Sequence, residues 1–406
     1  LAAVRTAYRH RVPVVGRGGG TGNVGGALPV PGALVVSFER LRGILEVDPV
    51  NRIMRVQPGV TNQAVQEAAA EHGLFWPPDP GSAAYCQIGG NLAMNAAGPG
   101  AVKRGVTRDW VLGLEAVRGD GEILRTGTRT SKGVVGYDLT RLLVGSEGTL
   151  ALFTEATLRL WPRPVAKRTA RACFASVAAA AAAVERIMAC GTVPSALELM
   201  DRLAIDALRR GGLDQDLPGD TQALLMVEAD GSEAEAEADF AVLNAALEGE
   251  GLLEVRTGAS EAETAELWRA RKSLSRAVKE IAPLKINEDV VVPVTALAGL
   301  IGRLEDLGRE YALPIVNFGH AGNGNIHVNL MVHPDDPEDM ERARVCLGRI
   351  FDAVLEAGGT LSGEHGVGSE KVPFVHRELD PASRELHRRI KAAFDPAGIL
   401  NPGKAF

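Results

Sequence analysis

Hydrophobic and polar positions follow two textures along this chain. Up to about residue 165, short β-branched runs stand between Gly, Pro and Asp turns. Val12–Val15, Leu34–Phe38, Ile53–Gln57, Val111–Arg118 and Leu150–Arg159 are predicted as strands on that pattern. Apolar residues at helical spacing over Thr61–His72, closed by Gly73, predict a helix with a glycine cap. Residues 1–11 read as the end of a helix entering the first strand, so chain upstream of Leu1 is expected. Trp161-Pro-Arg-Pro164 breaks the pattern and marks a junction. Beyond it, helices are predicted over Ser176–Ala189, Met200–Arg210, Glu233–Leu247, Ser260–Ile281 and Val294–Glu310. Strands alternate with them at Ala223–Ala229, Val290–Val292, Ile315–Phe318 and Asn325–Val332. The fold class is α+β, with helices covering one face of a mostly antiparallel sheet. The expected domains are 1–165, 166–385, and a C-terminal segment 386–406 that returns to the first.

Length and charge narrow the function classes. At 406 residues two domains are the natural division. A net charge of -7 without a basic stripe argues against a nucleic-acid partner. The longest apolar run, Val177–Val184, is nearly all alanine and runs into Glu185 and Arg186, which suits a helix of a soluble domain rather than a membrane span. Cys86, Cys173, Cys190 and Cys346 show neither metal-ligand nor redox spacing, so reduced thiols in the cytoplasm are expected. A peripheral contact at the inner membrane, and homodimerisation, stay open.

Gly20-Thr-Gly-Asn-Val-Gly25 spells the dinucleotide fingerprint G-x-G-x-x-G. That mechanism needs a helix directly after the loop, aimed at the pyrophosphate. The residues that follow, Gly26-Ala-Leu-Pro-Val-Pro-Gly32, cannot propagate one. The loop still has a use. Seven of the residues Gly16–Gly26 are glycine, which lets successive N–H groups turn inward as an anion nest. Arg17 adds a cation, and Thr21 and Asn23 add donors; a plain surface turn is the alternative. Two further small-residue segments follow, Pro77–Ser82 with Ile88–Gly98, and Gly145–Thr149. Three such segments in one domain suggest a large, flat cofactor.

Five motifs occur in order: Arg17-Gly-Gly-Gly-Thr-Gly22, Ile88-Gly-Gly-Asn91, Gly105-Val-Thr-Arg-Asp109, Gly136-Tyr-Asp-Leu-Thr140 and Gly145-Ser-Glu-Gly-Thr-Leu150. Together they resemble the FAD-binding domain of the vanillyl-alcohol oxidase/p-cresol methylhydroxylase superfamily, type 4. The resemblance implies a two-part FAD-binding domain of the p-cresol methylhydroxylase type. Its FAD contacts would be Arg17, Gly18, Gly19, Gly20, Thr21, Gly22, Asn23, Gly81, Ser82, Gly89, Gly90, Asn91, Asn95, Gly98, Gly105, Thr107, Glu147, Gly148 and, near the C-terminus, Asn401. Many members attach FAD through His or Cys. No clear counterpart stands here, although Cys86 is near the flavin segments, so noncovalent FAD is expected.

Of eight histidines, His10, His72, His333, His376 and His387 sit in helical or polar contexts and read as surface or structural residues. Gly319-His-Ala-Gly-Asn-Gly-Asn-Ile-His327 places two histidines across a Gly/Asn turn. In the strand after it, His327 and Asn329 share one face, and Ile326, Val328 and Leu330 the other. Thr360-Leu-Ser-Gly-Glu-His-Gly-Val-Gly368 sets Glu364 and His365 between glycines. Two imidazoles and a carboxylate are a common ligand set for Zn²⁺, Mn²⁺ or Fe²⁺. Adjacent residues in extended chain point apart, which frees His365 to act as a base. A hydrogen-bonded core network is the alternative.

These two segments, with the terminal Leu400-Asn-Pro-Gly-Lys404, resemble the FAD-linked oxidase C-terminal domain found in D-lactate dehydrogenases, the flavin subunit of glycolate oxidase and D-2-hydroxyglutarate dehydrogenase. The resemblance implies His320, His327 and Glu364 as ligands of a divalent metal and His365 as the residue that takes the hydroxyl proton. Asn323 stands where members often carry Asp. Arg271 and Ser275, one turn apart in Trp268-Arg-Ala-Arg-Lys-Ser-Leu-Ser275, match the family's substrate-carboxylate residues, as do Lys285 and Asn329. The activity implied is oxidation of a small D-2-hydroxy acid, of the D-lactate or glycolate type, to the 2-oxo acid, with hydride passing to flavin N5. D-2-hydroxyglutarate is the competing substrate. Electrons would leave to an external acceptor: a quinone, a cytochrome, an electron-transfer flavoprotein or a partner subunit. A metallohydrolase leaves the glycine segments unexplained, and a non-catalytic FAD subunit leaves the ligands and base unexplained.

Overall fold

Five antiparallel strands and a small parallel pair carry the glycine-rich part of the chain. The computed structural model describes residues 1–213, 216–258 and 260–406. Two compact units divide it: Leu1–Gly98, Arg104–Arg163 and Glu364–Phe406 in the first, and Pro99–Lys103 with Pro164–Gly363 in the second. The chain thus re-enters the first unit at Glu364, upstream of the 386 expected from sequence.

In the first unit, α1 (Ala2–His10) leads into β1 (Val14–Arg17), which pairs in parallel with β2 (Leu34–Ser37). No helix follows the Gly20–Gly25 loop, as the prolines dictate. The larger sheet contains β3 (Ile44–Asp48), β4 (Ile53–Val56), β5 (Val111–Arg118), β6 (Ile123–Gly127) and β7 (Ala151–Arg159), in the order β3-β4-β7-β5-β6. Beside β4 in sequence, α2 (Asn62–Ala70) starts where the Thr61 side chain accepts the Ala64 N–H. Within the second small-residue segment the chain forms α3 (Ile88–Met94) and ends at Asn95 in left-handed conformation. Gly89 serves its packing: a Cβ there would lie 2.7 Å from the Pro58 side chain. Met54, Val65, Trp76, Leu92, Leu143, Phe153 and Leu158 make the core of this unit. Its C-terminal stretch is pinned to β1, with Val14 N–H on the Ile399 carbonyl at 2.7 Å and Asn401 N–H on the Val14 carbonyl at 2.8 Å.

The second unit runs β8 (Ala166–Phe174), α4 (Val177–Ala189), β9 (Ala196–Met200), α5 (Arg202–Arg210), β10 (Ala223–Gly231), α6 (Glu233–Leu247), β11 (Leu252–Thr257), α7 (Glu261–Ala277), β12 (Leu284–Val291), α8 (Leu297–Glu310), β13 (Ile315–His320), β14 (Asn325–Val332) and α9 (Pro337–Glu356). All seven strands join one antiparallel sheet in the order β11-β8-β10-β9-β13-β14-β12. Both faces are covered, which corrects the one-face expectation. Helices α4, α6, α8 and α9 pack on one side. On the other, α5 and α7 pack onto Cys173, Met200, Leu224, Met226, Val316, Phe318 and Met331. Burial on both faces removes the polar alternation that betrays a strand, and β8 and β9 were missed for that reason, whereas β11 is a half-exposed edge strand. The helix expected to begin at Met200 begins at Arg202, because Met200 closes β9 and the Asp201 carboxylate caps α5 through the Ala204 N–H.

Candidate active site

Strand register lines polar side chains along one face of the second unit's sheet. His320 lies opposite Glu198 and Asn325, His327 opposite Phe318 and Asp289, and Asn329 opposite Val316 and Asn287. Side chains alternate along each strand. These residues therefore share the face that carries Phe318 and Met331, against which α5 and α7 pack. His320 and His327 are buried, 6 % and 8 % exposed, with ring centroids 5.2 Å apart edge to face. A ring nitrogen of each lies within 4.8 Å of one on the other. The turn between them admits little else: a Cβ on Gly324, whose φ is +69°, would stand 1.8 Å from the Val292 carbonyl oxygen.

Each imidazole turns its Nδ1 toward a carboxylate. Glu198 Oε1 is 2.5 Å from His320 Nδ1, and Asp289 Oδ1 is 3.9 Å from His327 Nδ1. The first contact is a hydrogen bond and the second, at 3.9 Å, is not; an imidazole hydrogen-bonded to a carboxylate, as His320 is, is the usual support for a metal-binding nitrogen on the far side of the ring. The donor set fits a divalent cation on that ground. Burial alone would raise the Glu198 carboxyl, but the charges of His320 and Arg271 overcome it and bring it down to about 2. Asp289 also accepts Asn325 Nδ2 at 2.6 Å, Ser362 Oγ at 3.2 Å and the Gly363 N–H at 2.9 Å. Glu364 and His365 follow that anchored glycine by one and two peptide bonds.

The residues expected at the substrate gather on this same face. Arg271 Nε donates to Glu198 Oε2 at 2.7 Å, and its guanidinium sits 5.1 Å above the Phe318 ring. Lys285 Nζ donates to Ser275 Oγ at 2.7 Å, joining two residues that sequence named separately. Burial, with Lys279 nearby, lowers the Lys285 pKa. Asn329 accepts Asn287 Nδ2 at 2.7 Å and is fully buried. Sequence reading missed Glu198, Asp289, Asn287 and Asn325. Only Glu198 left a signal, a lone carboxylate inside the apolar run Ala196–Met200.

In the first unit the glycine loop 19–23 is exposed, with Arg17, Thr21 and Asn23 at the surface. Gly22, Gly81 and Gly90 face open space, whereas a Cβ on Gly19 would meet the Tyr85 carbonyl oxygen at 2.4 Å. Several expected FAD contacts hold the chain itself. Asn95 Oδ1 accepts the Arg108 N–H at 2.8 Å, Thr107 Oγ1 bonds the Ala96 carbonyl at 2.7 Å, and Asn91 Oδ1 receives Asn62 Nδ2 at 3.4 Å. Gly98 and Gly105 lie against Asp79 and Asp109, and Gly148 adopts φ +71°. Glu147 Oε1 and Oε2 accept the Val367 and Gly368 N–H groups, each at 2.7 Å. Burial raises its pKa against the pull of those donors and of Lys371 and Lys404. Asn401 Nδ2 bonds the Gly26 and Glu147 carbonyls at 2.9 and 2.7 Å. The buried Ser146 Oγ, Asn401 Oδ1 and Gln87 Oε1 have no hydrogen-bond partner among the described residues, the pattern left where a polar ligand completes a site. Ser82 is half-buried, and Cys86 is buried with Sγ toward Asn91.

Comparison with known proteins adds the family. Residues 1–127 match "FAD binding domain" and residues 163–405 match "FAD linked oxidases, C-terminal domain". Glycolate oxidase subunit GlcD of Bacillus subtilis (strain 168) is 41% identical over 400 residues, covering 98% of this chain and 84% of its own. D-lactate dehydrogenase of Archaeoglobus fulgidus is 36% identical over 405 residues, covering 99% and 88%. Among solved structures, p-cresol methylhydroxylase with substrate bound superposes with a TM-score of 0.79 at 16% identity, covering 99% of this chain and 85% of that one, which speaks to fold alone. The chain belongs to the FAD-linked oxidases, and its fold is that of the p-cresol methylhydroxylase-type flavoenzymes.

Proposed function

We propose that this chain oxidises a small D-2-hydroxy acid, of the D-lactate or glycolate type, to the corresponding 2-oxo acid. The observation that carries the reading is the single polar face on which His320, His327, Arg271, Ser275, Lys285 and Asn329 come together. It combines an imidazole pair with two cations suited to a carboxylate. The named relatives, a glycolate oxidase subunit and a D-lactate dehydrogenase, support the same class.

Arg271, with Nε and Nη2 engaged by Glu198, directs its remaining N–H groups to the substrate carboxylate. Lys285 and Ser275 act as a second donor pair. His365 accepts the hydroxyl proton at a ring nitrogen as the α-hydrogen leaves with the bonding electrons. FAD, held by the glycine segments, supplies the two-electron acceptor. His320, His327 and Glu364 would hold a divalent cation, which supplies Lewis acidity toward the hydroxyl. The electrons leave to an external acceptor, and because the bacterial relative is named as an oxidase subunit, a partner subunit heads that class.

A stopped-flow panel of D- and L-lactate, glycolate, and D- and L-2-hydroxyglutarate, scored by bleaching of the oxidised flavin, tests the proposal. Fast bleaching by D-lactate or glycolate is the expected result. Preference for D-2-hydroxyglutarate moves the assignment to the larger substrate, and no bleaching by any 2-hydroxy acid rejects it.

A further inference from the structure

Glu198 is fully buried and divides its oxygens between two partners. Oε1 meets His320 Nδ1 at 2.5 Å, and Oε2 meets Arg271 at 2.7 Å. Arg271 is itself fixed from above, over the Phe318 ring at 5.1 Å. A carboxylate paired with a guanidinium is acceptor-only. The proton between Glu198 and His320 therefore belongs to Nδ1. That leaves Nε2 as the His320 nitrogen available to a cation, which takes the place of any proton there. The strand supports the geometry, because β9 and β13 place Glu198 and His320 directly opposite each other. A fully buried carboxylate is costly unless it is paired, so its presence in an otherwise apolar strand calls for a function.

We infer that Glu198 is a positioning residue for metal binding: it receives the His320 Nδ1–H and so presents Nε2 to the cation, while Arg271 fixes its second oxygen. The inference rests on the metal reading proposed above. It also explains why a helix-borne arginine expected only at the substrate is tied to the ligand strand. Arg271 serves both.

The test uses the full-length, FAD-loaded protein after exhaustive removal of divalent metal. Zn²⁺ alone is titrated against a chromogenic chelator in the wild type and in Glu198→Gln, which keeps the size and removes the charge. Loss of a carboxylate behind a ligating histidine weakens metal binding by about 10–100-fold. That loss is expected here, with the protein folded and FAD content retained. Equal Zn²⁺ affinity in a folded Glu198→Gln protein overturns the inference. A wild type that takes up no Zn²⁺ overturns the metal reading and this inference with it, and so separates the two failures. A second measurement needs no variant. Histidine-selective ¹⁵N NMR of the Zn²⁺-loaded wild type should show His320 protonated at Nδ1 and without a proton at Nε2. The opposite tautomer overturns the assignment even if Glu198→Gln does not fold.

Discussion

Glu147 Oε2 accepts the backbone N–H of Gly368 at 2.7 Å, across 221 positions of sequence. Its other oxygen holds the Val367 N–H at the same distance. The backbone of Glu147 is left-handed at φ 54°, between two glycines with positive φ, so the side chain is aimed deliberately. What it holds is the stretch just after Glu364 and His365. The resemblance implied Glu147 as an FAD contact, and in the structure its side chain also holds this part of the chain.

Glu147→Gln removes one of two acceptors and sets an NH₂ against a buried N–H. Such an orphaned donor costs about 1–3 kcal/mol. We expect flavin reduction by substrate to slow at least roughly ten-fold while FAD stays bound in full. Single-turnover reduction with FAD stoichiometry measures both. A folded variant reducing at the wild-type rate would falsify the positioning role.

Gly324→Ala acts on the turn between His320 and His327. Left-handed backbone costs a Cβ about 1–2 kcal/mol. At this position the Cβ would also stand 1.8 Å from the Val292 carbonyl, so the turn must shift. A Tm lower by several degrees, with weakened Zn²⁺ uptake, is the expected outcome. Calorimetry with metal titration checks it, and an unchanged Tm shows that the turn relaxes freely.

Much of this was legible in sequence, and the reasons differ by segment. Strands β5 and β14 were read to the residue, because Val111–Arg118 and Asn325–Val332 are bounded by turn signals. The absence of a Rossmann helix followed from Pro29 and Pro31. His320 and His327 stood out by their Gly/Asn turn, Arg271 and Lys285 only through the family resemblance, and all four gather at one face of the sheet. Glu198 and Asp289 were not found, because no local spacing relates them to the histidines. Glu198 meets His320 only through β9–β13 pairing, and Asp289 meets His327 only through β12–β14 pairing. Register between strands distant in sequence is a tertiary property. Helix α9 was overlooked although Asp336 and Pro337 form an ordinary N-terminal signal, with the Asp336 carboxylate accepting the Glu338 N–H.

His365→Ala should cut flavin reduction by roughly 10²–10⁴-fold, the usual contribution of a general base. FAD content is expected to stay whole, since the side chain belongs to no glycine segment. Rapid mixing with D-lactate or glycolate measures the rate. Near-normal reduction removes His365 from proton transfer.

Chelation should abolish turnover, and added Zn²⁺ or Mn²⁺ should restore it, if His320, His327 and Glu364 hold a divalent ion. Elemental analysis should find one ion per chain in the active protein. Full activity at negligible metal content counts against the Lewis-acid role.

Lys285 makes the pH dependence specific. Burial first, and Lys279 second, depress its pKa below the ordinary 10.5, since both disfavour the charged form. The folded protein therefore releases this proton at lower pH than the unfolded chain. Between the two values the unfolded chain binds more protons, so Lys285 adds stability as pH rises through that window. Its effect on substrate runs the other way. Affinity for a carboxylate is complete below the depressed pKa and is lost as pH climbs through it. The KM for a D-2-hydroxy acid should thus rise on the alkaline side before an ordinary lysine would titrate, with kcat less affected. Lys285→Met should raise KM at neutral pH by about ten-fold or more, the worth of one charge-assisted hydrogen bond, and should flatten the alkaline limb. If the variant keeps the wild-type alkaline rise, the titrating group lies elsewhere, and Lys285 serves only to hold Ser275.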